Sequence, residues 1–161
     1  MSLPHPRIEW QEFKQLAPAA NAAILALGNA AVEAGLEKPL LELVKLRASQ
    51  INRCAFCLQL HLNVARGLGL PAAKLDLLGV WREAGIYAPR EAAALAWTEL
   101  LTRISEHEIG DADYAAVLQH FSKAELAHLT AAIGAINVWN RICGSFRFTP
   151  PIPAANDAGA A

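Results

Sequence analysis

Apolar residues recur at three- and four-residue spacing along most of the chain, and alanine and leucine are their usual types. This is the period of one face of an α-helix, whereas a half-buried strand alternates apolar and polar residues. Alternating runs of β-branched residues bounded by hairpin turns are scarce. The pattern predicts an all-α fold: a single-domain bundle of about seven helices.

Proline, glycine and capping residues indicate where these helices begin and end. Pro18 and Gly35 favour one helix over 18–35, because proline suits the first turn of a helix and glycine suits the residue after the last turn. Ser122 and Glu125 have the spacing of a capping box, which predicts a last helix from here to about residue 143. The other predicted helices cover about 39–51, 57–67, 71–85, 89–105 and 112–121.

The chain of 161 residues suits one domain with one sizeable core. We assign residues 1–148 to this helical domain. Residues 149–161 contain three prolines and otherwise mostly small side chains. We therefore expect a flexible C-terminal tail, or one that lies on a neighbouring surface.

Charge and composition restrict the partners. The chain has 14 Lys and Arg against 15 Asp and Glu, so it lacks the basic surface expected of a nucleic-acid-binding protein. No window approaches the roughly 18 uninterrupted apolar residues of a membrane-spanning helix, and the N-terminus does not resemble a signal peptide. We expect a cytoplasmic protein that does not bind a membrane. Because 54% of the residues are hydrophobic, we also expect a homo-oligomer.

Two thiols and an imidazole lie within eight residues, in the segment CAFCLQLH. In a helix over 57–67, Cys57 and His61 are one turn apart on a common face, so the imidazole can reach the thiol. Cys54 lies at or just before the helix start, where free amides favour a thiolate and a disulfide with Cys57 is sterically possible. The third cysteine, Cys143, lies in an apolar helix and is interpreted as a core residue.

Glu42 is the acidic residue best placed to reprotonate His61, although it could instead complement the N-terminus of its own helix. A turn near Asn52 and Arg53 must bring it to the cysteines, since spacing along one helix would not align them. Ser49 and Asn52 could orient the site by hydrogen bonds or stabilise this turn. We treat them as supporting residues.

These residues, taken in order, resemble the signature of the alkylhydroperoxidase D-like proteins of the carboxymuconolactone decarboxylase family. The matching residues are Glu42, Ser49, Asn52, Cys54, Cys57, His61, Ala65 and Arg66. The segment 75–104 is also similar to the segment that follows the cysteines in many members. The resemblance covers the chain from about residue 39 to 147, and implies an all-helical fold that assembles as trimers or hexamers.

The resemblance further implies a thiol-dependent peroxidase that reduces hydroperoxides without a metal or other cofactor. Glu42 and His61 would relay protons, and Cys54 and Cys57 would form the redox pair. One thiolate would become a sulfenic acid and then a Cys54–Cys57 disulfide, which an external dithiol or a lipoyl-type reductant protein restores. His61 favours Cys57 as the first thiol to react, whereas exposure at the helix start favours Cys54.

Several alternatives follow from the same residues. The best-known peroxidase members have a second histidine immediately before the second cysteine, where this chain has Phe56. A decarboxylase-like member is a further alternative, but that branch generally lacks the CxxC pair. A zinc site at Cys54, Cys57 and His61 lacks the usual second ligand pair. A non-catalytic assembly protein would use both cysteines only as small buried residues.

Overall fold

Helices account for the regular structure of residues 5–154, which is the part of the chain that the computed structural model describes. They are α1 (Trp10–Leu16), α2 (Pro18–Glu33), α3 (Lys38–Ile51), α4 (Ala55–Gly67), α5 (Ala72–Asp76), α6 (Trp81–Ala84), α7 (Pro89–Thr102), α8 (Asp111–Leu118) and α9 (Lys123–Phe146). A short 3₁₀ helix, Leu78–Val80, separates α5 from α6. The predicted all-α, single-domain fold is confirmed.

The helix count differs from the prediction at two places. The short helix α1 was not predicted, because Phe13 is its one buried residue and its apolar pattern is weak. The prediction of one continuous helix over 71–85 was wrong. Leu75, Leu78 and Trp81 are buried at a spacing of three, which matches the 3₁₀ period, so the chain divides into α5, the 3₁₀ turn and α6.

Helix α3 lies at the centre of the bundle and packs against α4, α7 and α9. Most of its residues from 40 to 49 are buried, and two of the buried ones are polar, Glu42 and Ser49. A buried carboxylate is costly unless it is paired and hydrogen-bonded. The position of Glu42 therefore requires partners on a neighbouring helix.

The predicted capping box at the start of α9 is confirmed. Ser122 Oγ accepts from the backbone N–H of Glu125 at 3.2 Å, and Glu125 Oε2 accepts from the backbone N–H of Ser122 at 2.7 Å. The helix continues past the predicted end at residue 143 to Phe146 and packs against α2, α3, α4 and α7. One face of α9 thus reaches the cysteine segment on α4.

One buried cluster places all three cysteines among aromatic side chains. Its buried members are Phe13, Ala48, Cys54, Phe56, Cys57, Ile136, Cys143 and Phe148. The Phe56 ring meets the rings of Trp10 and Phe148 edge-on, at centroid distances of 5.5 and 5.4 Å. The predicted burial of Cys143 is confirmed, but this cysteine lies beside the other two rather than in a separate part of the core.

The first residues of the predicted tail contact the domain. Thr149 Oγ1 donates to Glu9 at 2.6 Å, and Asn63 Nδ2 donates to the carbonyl of Pro151 at 2.9 Å. The rest of that tail, residues 155–161, lies outside the described residues. Between residues 5 and 154, no single helix has the length and apolar character needed to cross a membrane; α1 and α2 would meet these criteria only as a pair, and they are bent by 110°.

Candidate active site

The predicted turn near residue 52 is present and ends α3 immediately before the first cysteine. The backbone N–H of Arg53 donates to the carbonyl of Gln50 at 3.2 Å, and that of Cys54 donates to Ser49 at 3.0 Å. Arg53 has φ 55°, in the left-handed region that costs a non-glycine residue about 1–2 kcal/mol. The reversal starts α4 at once, so α3 and α4 pack side by side.

The turn places Cys54 at the N-cap of α4, as the sequence predicted. Its Sγ accepts from the backbone N–H of Cys57 at 3.3 Å, and the two Sγ atoms lie 2.7 Å apart. Both cysteines are free and buried. A disulfide of about 2.05 Å would require only a small movement of one side chain.

The sulfur of Cys143 lies beside these two, and the three sulfurs form what we call the sulfur group. The Sγ atoms of Cys54, Cys57 and Cys143 all lie within 4.8 Å of one another. Cys143 reaches this position from α9, a long way along the chain from the CxxC segment. The sequence analysis placed it in the core but did not associate it with the other thiols.

Hydrogen bonding within the group favours negative charge on Cys54. A hydrogen bond with Cys143 and another with Cys57 lower the pKa of Cys54; the backbone N–H of Cys57 and the Asn140 amide add to this and outweigh burial. A hydrogen bond with Cys143 also acts to lower the pKa of Cys57, but the hydrogen bond with Cys54, burial and the charge of Cys54 outweigh it and raise this pKa. Hydrogen bonds to Cys54 and Cys57, together with burial, raise the pKa of Cys143. Of the three thiols, Cys54 is therefore the one whose ionisation these surroundings favour.

Glu42 and His61 are brought together across α3 and α4. Glu42 Oε2 lies 2.7 Å from His61 Nδ1, and Glu42 Oε1 accepts from Lys45 Nζ at 2.8 Å. Burial acts to raise the pKa of Glu42, but the hydrogen bond and charge of His61, together with Lys45, outweigh it and hold this pKa below its ordinary value. The carboxylate is therefore ionised and placed to accept from Nδ1–H of His61, which orients the imidazole ring.

The imidazole and the thiols meet at a cavity of about 150 Å³. Cys57, Cys143 and His61 line it, whereas Cys54 is not among its lining residues. Apolar side chains form most of the remaining wall, including Trp10, Ile24, Leu25, Phe56, Leu60, Ile136 and Trp139. A space of this size accepts a small organic molecule of about the size of benzene.

A buried amide network supports the cysteines from α9. Asn52 Nδ2 donates to Asn140 Oδ1 at 2.8 Å and to Asn137 Oδ1 at 2.9 Å. Asn140 Nδ2 donates to Ser49 Oγ at 3.0 Å. Ser49 and Asn52 thus bond through the same residue, Asn140, which also lowers the pKa of Cys54.

Asn140 and Cys143 are the site residues that the sequence analysis missed. They are three apart on the face of α9 that also carries Ile136 and Trp139. An asparagine on an otherwise apolar helix face was a usable signal, because a buried amide must be hydrogen-bonded.

The sulfur group is also where a metal could bind. Within residues 5–154, Cys54, Cys57 and Cys143 form the one set of three or more Cys, His, Asp and Glu ligand atoms that is close enough to hold an ion. His61, which the zinc alternative placed with Cys54 and Cys57, is not in this set and is held by Glu42 instead. The set consists of thiols alone, so it would suit a thiophilic cation.

The sequence model of the carboxymuconolactone decarboxylase family matches residues 18–100, more than half of the chain. The chain belongs to this family. The matched range contains Glu42, Cys54, Cys57 and His61, whereas Asn140 and Cys143 lie beyond it.

Three relatives of this carboxymuconolactone decarboxylase family member are informative. The uncharacterized protein YdfG of Bacillus subtilis (strain 168) is 32% identical over 130 residues, which cover 81% of this chain and 88% of YdfG. ATU0492, a protein of unknown function from Agrobacterium tumefaciens, is described as a candidate antioxidant defence protein AhpD. Its sequence is 40% identical to this chain, and its structure matches with a TM-score of 0.86 over 92% of this chain and 100% of ATU0492. An uncharacterized peroxidase-related protein from Silicibacter sp. TM1040 has 25% identity and a TM-score of 0.72, covering 86% of this chain and 72% of that one. The predicted alkylhydroperoxidase D-like resemblance is confirmed.

Proposed function

We propose that this protein is a thiol-dependent peroxidase that reduces small organic hydroperoxides. The observation that carries the proposal is the arrangement of Cys57 and His61 on one apolar cavity, with the Cys54 sulfur 2.7 Å behind Cys57 and Glu42 bonded to His61. The relatives described as peroxidase-related or as a candidate AhpD support the same class of activity.

Cys57 is the thiol that attacks the peroxide in this proposal, because it lines the cavity and Cys54 does not. The sulfur of Cys57 bonds to the terminal oxygen of ROOH as the O–O bond breaks. Its proton passes to Nε2 of His61 and then to the departing alkoxide, giving Cys57–SOH and ROH. General acid–base help of this kind contributes about 10²–10⁴ to a rate.

Cys54 is then the resolving thiol. Its lowered pKa favours the thiolate, which is the nucleophilic form of a cysteine. Attack on Cys57–SOH forms the Cys54–Cys57 disulfide and releases hydroxide, which takes a proton to become water. An external dithiol, of the lipoyl type, reduces the disulfide and is itself oxidised to a disulfide.

The cavity wall supports the substrate class. Its apolar residues stabilise a hydrocarbon group by removing it from water, and its limited size favours short or compact hydroperoxides. Its polar lining residues include His61 and the thiols of Cys57 and Cys143, which are the groups needed at the peroxide end, together with Asn29 and Lys45.

Assembly as a trimer or hexamer and a cytoplasmic location remain predictions. Helix α2 supports assembly into an oligomer, since it has no charged residue before Glu33 and leaves Leu25 and Leu27 43% and 44% exposed. Exposed apolar side chains grouped on one helix are typical of subunit interfaces.

The deciding experiment measures hydroperoxide consumption with cumene hydroperoxide as substrate and dihydrolipoamide as the dithiol. Wild-type protein should turn over, and Cys57→Ser should fall to the rate of the uncatalysed reaction. The matched control is Ala55→Ser, which adds the same hydroxyl at an exposed position in the same helical turn and should keep the wild-type rate. Turnover by Cys57→Ser at the wild-type rate would contradict the proposal.

A further inference from the structure

Cys143 is placed to react with the same sulfur as Cys54 does. Its Sγ lies within 4.8 Å of the Sγ of Cys57, and it approaches from α9, whereas Cys54 approaches from the start of α4. Cys57 therefore has two thiol neighbours, which come from different parts of the fold.

The cavity distinguishes the two neighbours. Cys57 and Cys143 both line it, and Cys54 does not. A hydroperoxide that reacts with Cys57 leaves the new sulfenic acid facing the space that Cys143 also faces.

We propose that Cys143 is a second resolving thiol, which forms a disulfide with Cys57 when Cys54 does not. This inference rests on the proposed peroxidase function, in which a hydroperoxide is the oxidant and an external dithiol is the reductant. Cys57–SOH and the Cys143 thiol combine: the S–S bond forms, the S–O bond of the sulfenic acid breaks, and the hydroxide leaves with the Cys143 proton as water. The external dithiol reduces this disulfide as it does the first.

The protonation of the group sets the order of the two partners. The pKa of Cys54 is lowered and that of Cys143 is raised, so the Cys54 thiolate reacts first and Cys143 reacts more slowly. Cys143 acts as the resolving thiol when Cys54 is blocked or modified. Without a second thiol, excess peroxide would then oxidise Cys57–SOH further to the sulfinic acid, which external thiols do not reverse.

The test removes each resolving thiol in turn. The variants are Cys54→Ser, Cys143→Ser and the double variant, each treated with cumene hydroperoxide or with diamide, alkylated, digested and analysed by mass spectrometry. Serine is a favoured N-cap residue, so Cys54→Ser keeps the cap of α4. Cys143→Ala is prepared as well, because a buried serine in α9 could unfold the protein, and circular dichroism checks the fold of all four.

In Cys54→Ser we expect an intramolecular Cys57–Cys143 disulfide and the loss of about two free thiols per chain with either oxidant. In the double variant we expect sulfinic acid at Cys57 after hydroperoxide treatment. A Cys54→Ser protein that accumulates sulfinic acid at Cys57 while Cys143 stays reduced, or that forms only disulfides between chains, would overturn the inference.

The two oxidants separate this inference from the proposed function. Diamide forms disulfides between neighbouring thiols without any peroxidase chemistry. If wild-type protein does not consume hydroperoxide but diamide still joins Cys57 to Cys143 in Cys54→Ser, the peroxidase proposal fails. The role of Cys143 in that reaction then fails with it, although the two thiols are neighbours as inferred. If wild-type protein consumes hydroperoxide but Cys57 and Cys143 do not form a disulfide in Cys54→Ser, the inference alone fails.

Discussion

A 2.7 Å contact between Oε2 of Glu42 and Nδ1 of His61 joins two helices beside the thiols. The two residues are 19 positions apart, and the turn at Arg53 brings their helices side by side. Lys45 binds the other oxygen of Glu42. The carboxylate is thus held ionised by two partners, and its contact with Nδ1 orients the imidazole.

Replacement of Glu42 by glutamine tests this arrangement. An amide no longer carries the charge that orients the imidazole and stabilises it when protonated, so kcat/KM for cumene hydroperoxide should fall about 100-fold. The pH profile of kcat/KM should shift as well, which a merely structural residue would not cause. Glu37→Gln is the matched control, since Glu37 pairs with Arg90 on the surface and should leave both the rate and the profile unchanged. If the pH profile of kcat/KM in Glu42→Gln were the same as in wild type, Glu42 would have no part in the proton relay.

Asn140 supports both the turn and the thiols, and Asn140→Ala separates these roles. Removal of its amide leaves Ser49 Oγ and Asn52 Nδ2 with one partner fewer, so the free energy of unfolding should fall by about 2 kcal/mol. The pKa of Cys54 should rise because a hydrogen bond to its thiolate is lost. Urea unfolding measures the first effect, and the pH dependence of alkylation by iodoacetamide measures the second. An unchanged alkylation profile would show that Asn140 acts on the fold alone.

The contrast between Asn140 and Cys57 shows what can be predicted from this sequence. Cys54, Cys57 and His61 lie within eight residues, and helical geometry alone relates them. Asn140 bonds to Asn52 across 88 positions, a contact that depends on how α9 packs against α3. The periodicity of α9 predicts its helix but not which neighbour its face meets, so the third thiol and the amide network became visible only in the structure.

Glu99 provides a test of stability away from the cavity. Its Oε1 accepts from Trp81 Nε1 at 2.9 Å and from Arg47 Nε at 2.6 Å, and its Oε2 accepts from Arg82 at 2.5 Å. Burial acts to raise the pKa of Glu99, but hydrogen bonds from Trp81, Arg82 and Arg47 outweigh it and lower the pKa below the ordinary 4.5. A lowered pKa in the folded state stabilises the protein fully above pH 4.5, and this stabilisation is lost as the pH falls through the lowered value.

Glu99→Gln should therefore reduce the free energy of unfolding by about 2–3 kcal/mol at pH 7, because the partly buried Arg47 loses its charged partner. The variant should lose less stability than wild type between pH 5 and pH 3. Urea unfolding at these pH values checks both effects. Glu37→Gln again serves as control, with an expected loss below about 1 kcal/mol at its exposed pair. Parallel pH curves for Glu99→Gln and wild type would contradict the assigned pKa shift.

The left-handed conformation of Arg53 predicts that Arg53→Gly is tolerated or stabilising. Glycine adopts φ 55° without steric cost, although it loses more backbone entropy on folding, so the gain should be about 0.5–1 kcal/mol. Arg53→Val, which places a β-branched side chain at positive φ, should lower stability by more than about 1 kcal/mol. Thermal unfolding of wild type, Arg53→Gly and Arg53→Val gives the order of their stabilities. A loss of stability in Arg53→Gly would mean that the exposed arginine side chain stabilises the turn.

Phe56 stands where the best-known peroxidase members have a second histidine, and its surroundings predict the outcome of restoring one. The ring is 8% exposed and packs edge-on against Trp10 and Phe148. The imidazole of Phe56→His would place two polar nitrogens among these rings, at a cost of about 2 kcal/mol in unfolding free energy. Because His61 and Glu42 already form the relay in our proposal, the peroxidase rate of Phe56→His should not exceed that of wild type.

The control for this substitution is Phe56→Leu, which changes the packing without adding a polar group and should cost less than about 1.5 kcal/mol. A lower stability in Phe56→His than in Phe56→Leu, measured by urea unfolding, would confirm the apolar character of the position. A higher kcat/KM in Phe56→His, with stability close to that of wild type, would contradict our view. It would show that the aromatic wall accepts a second proton carrier, and that the single His61–Glu42 pair limits the rate.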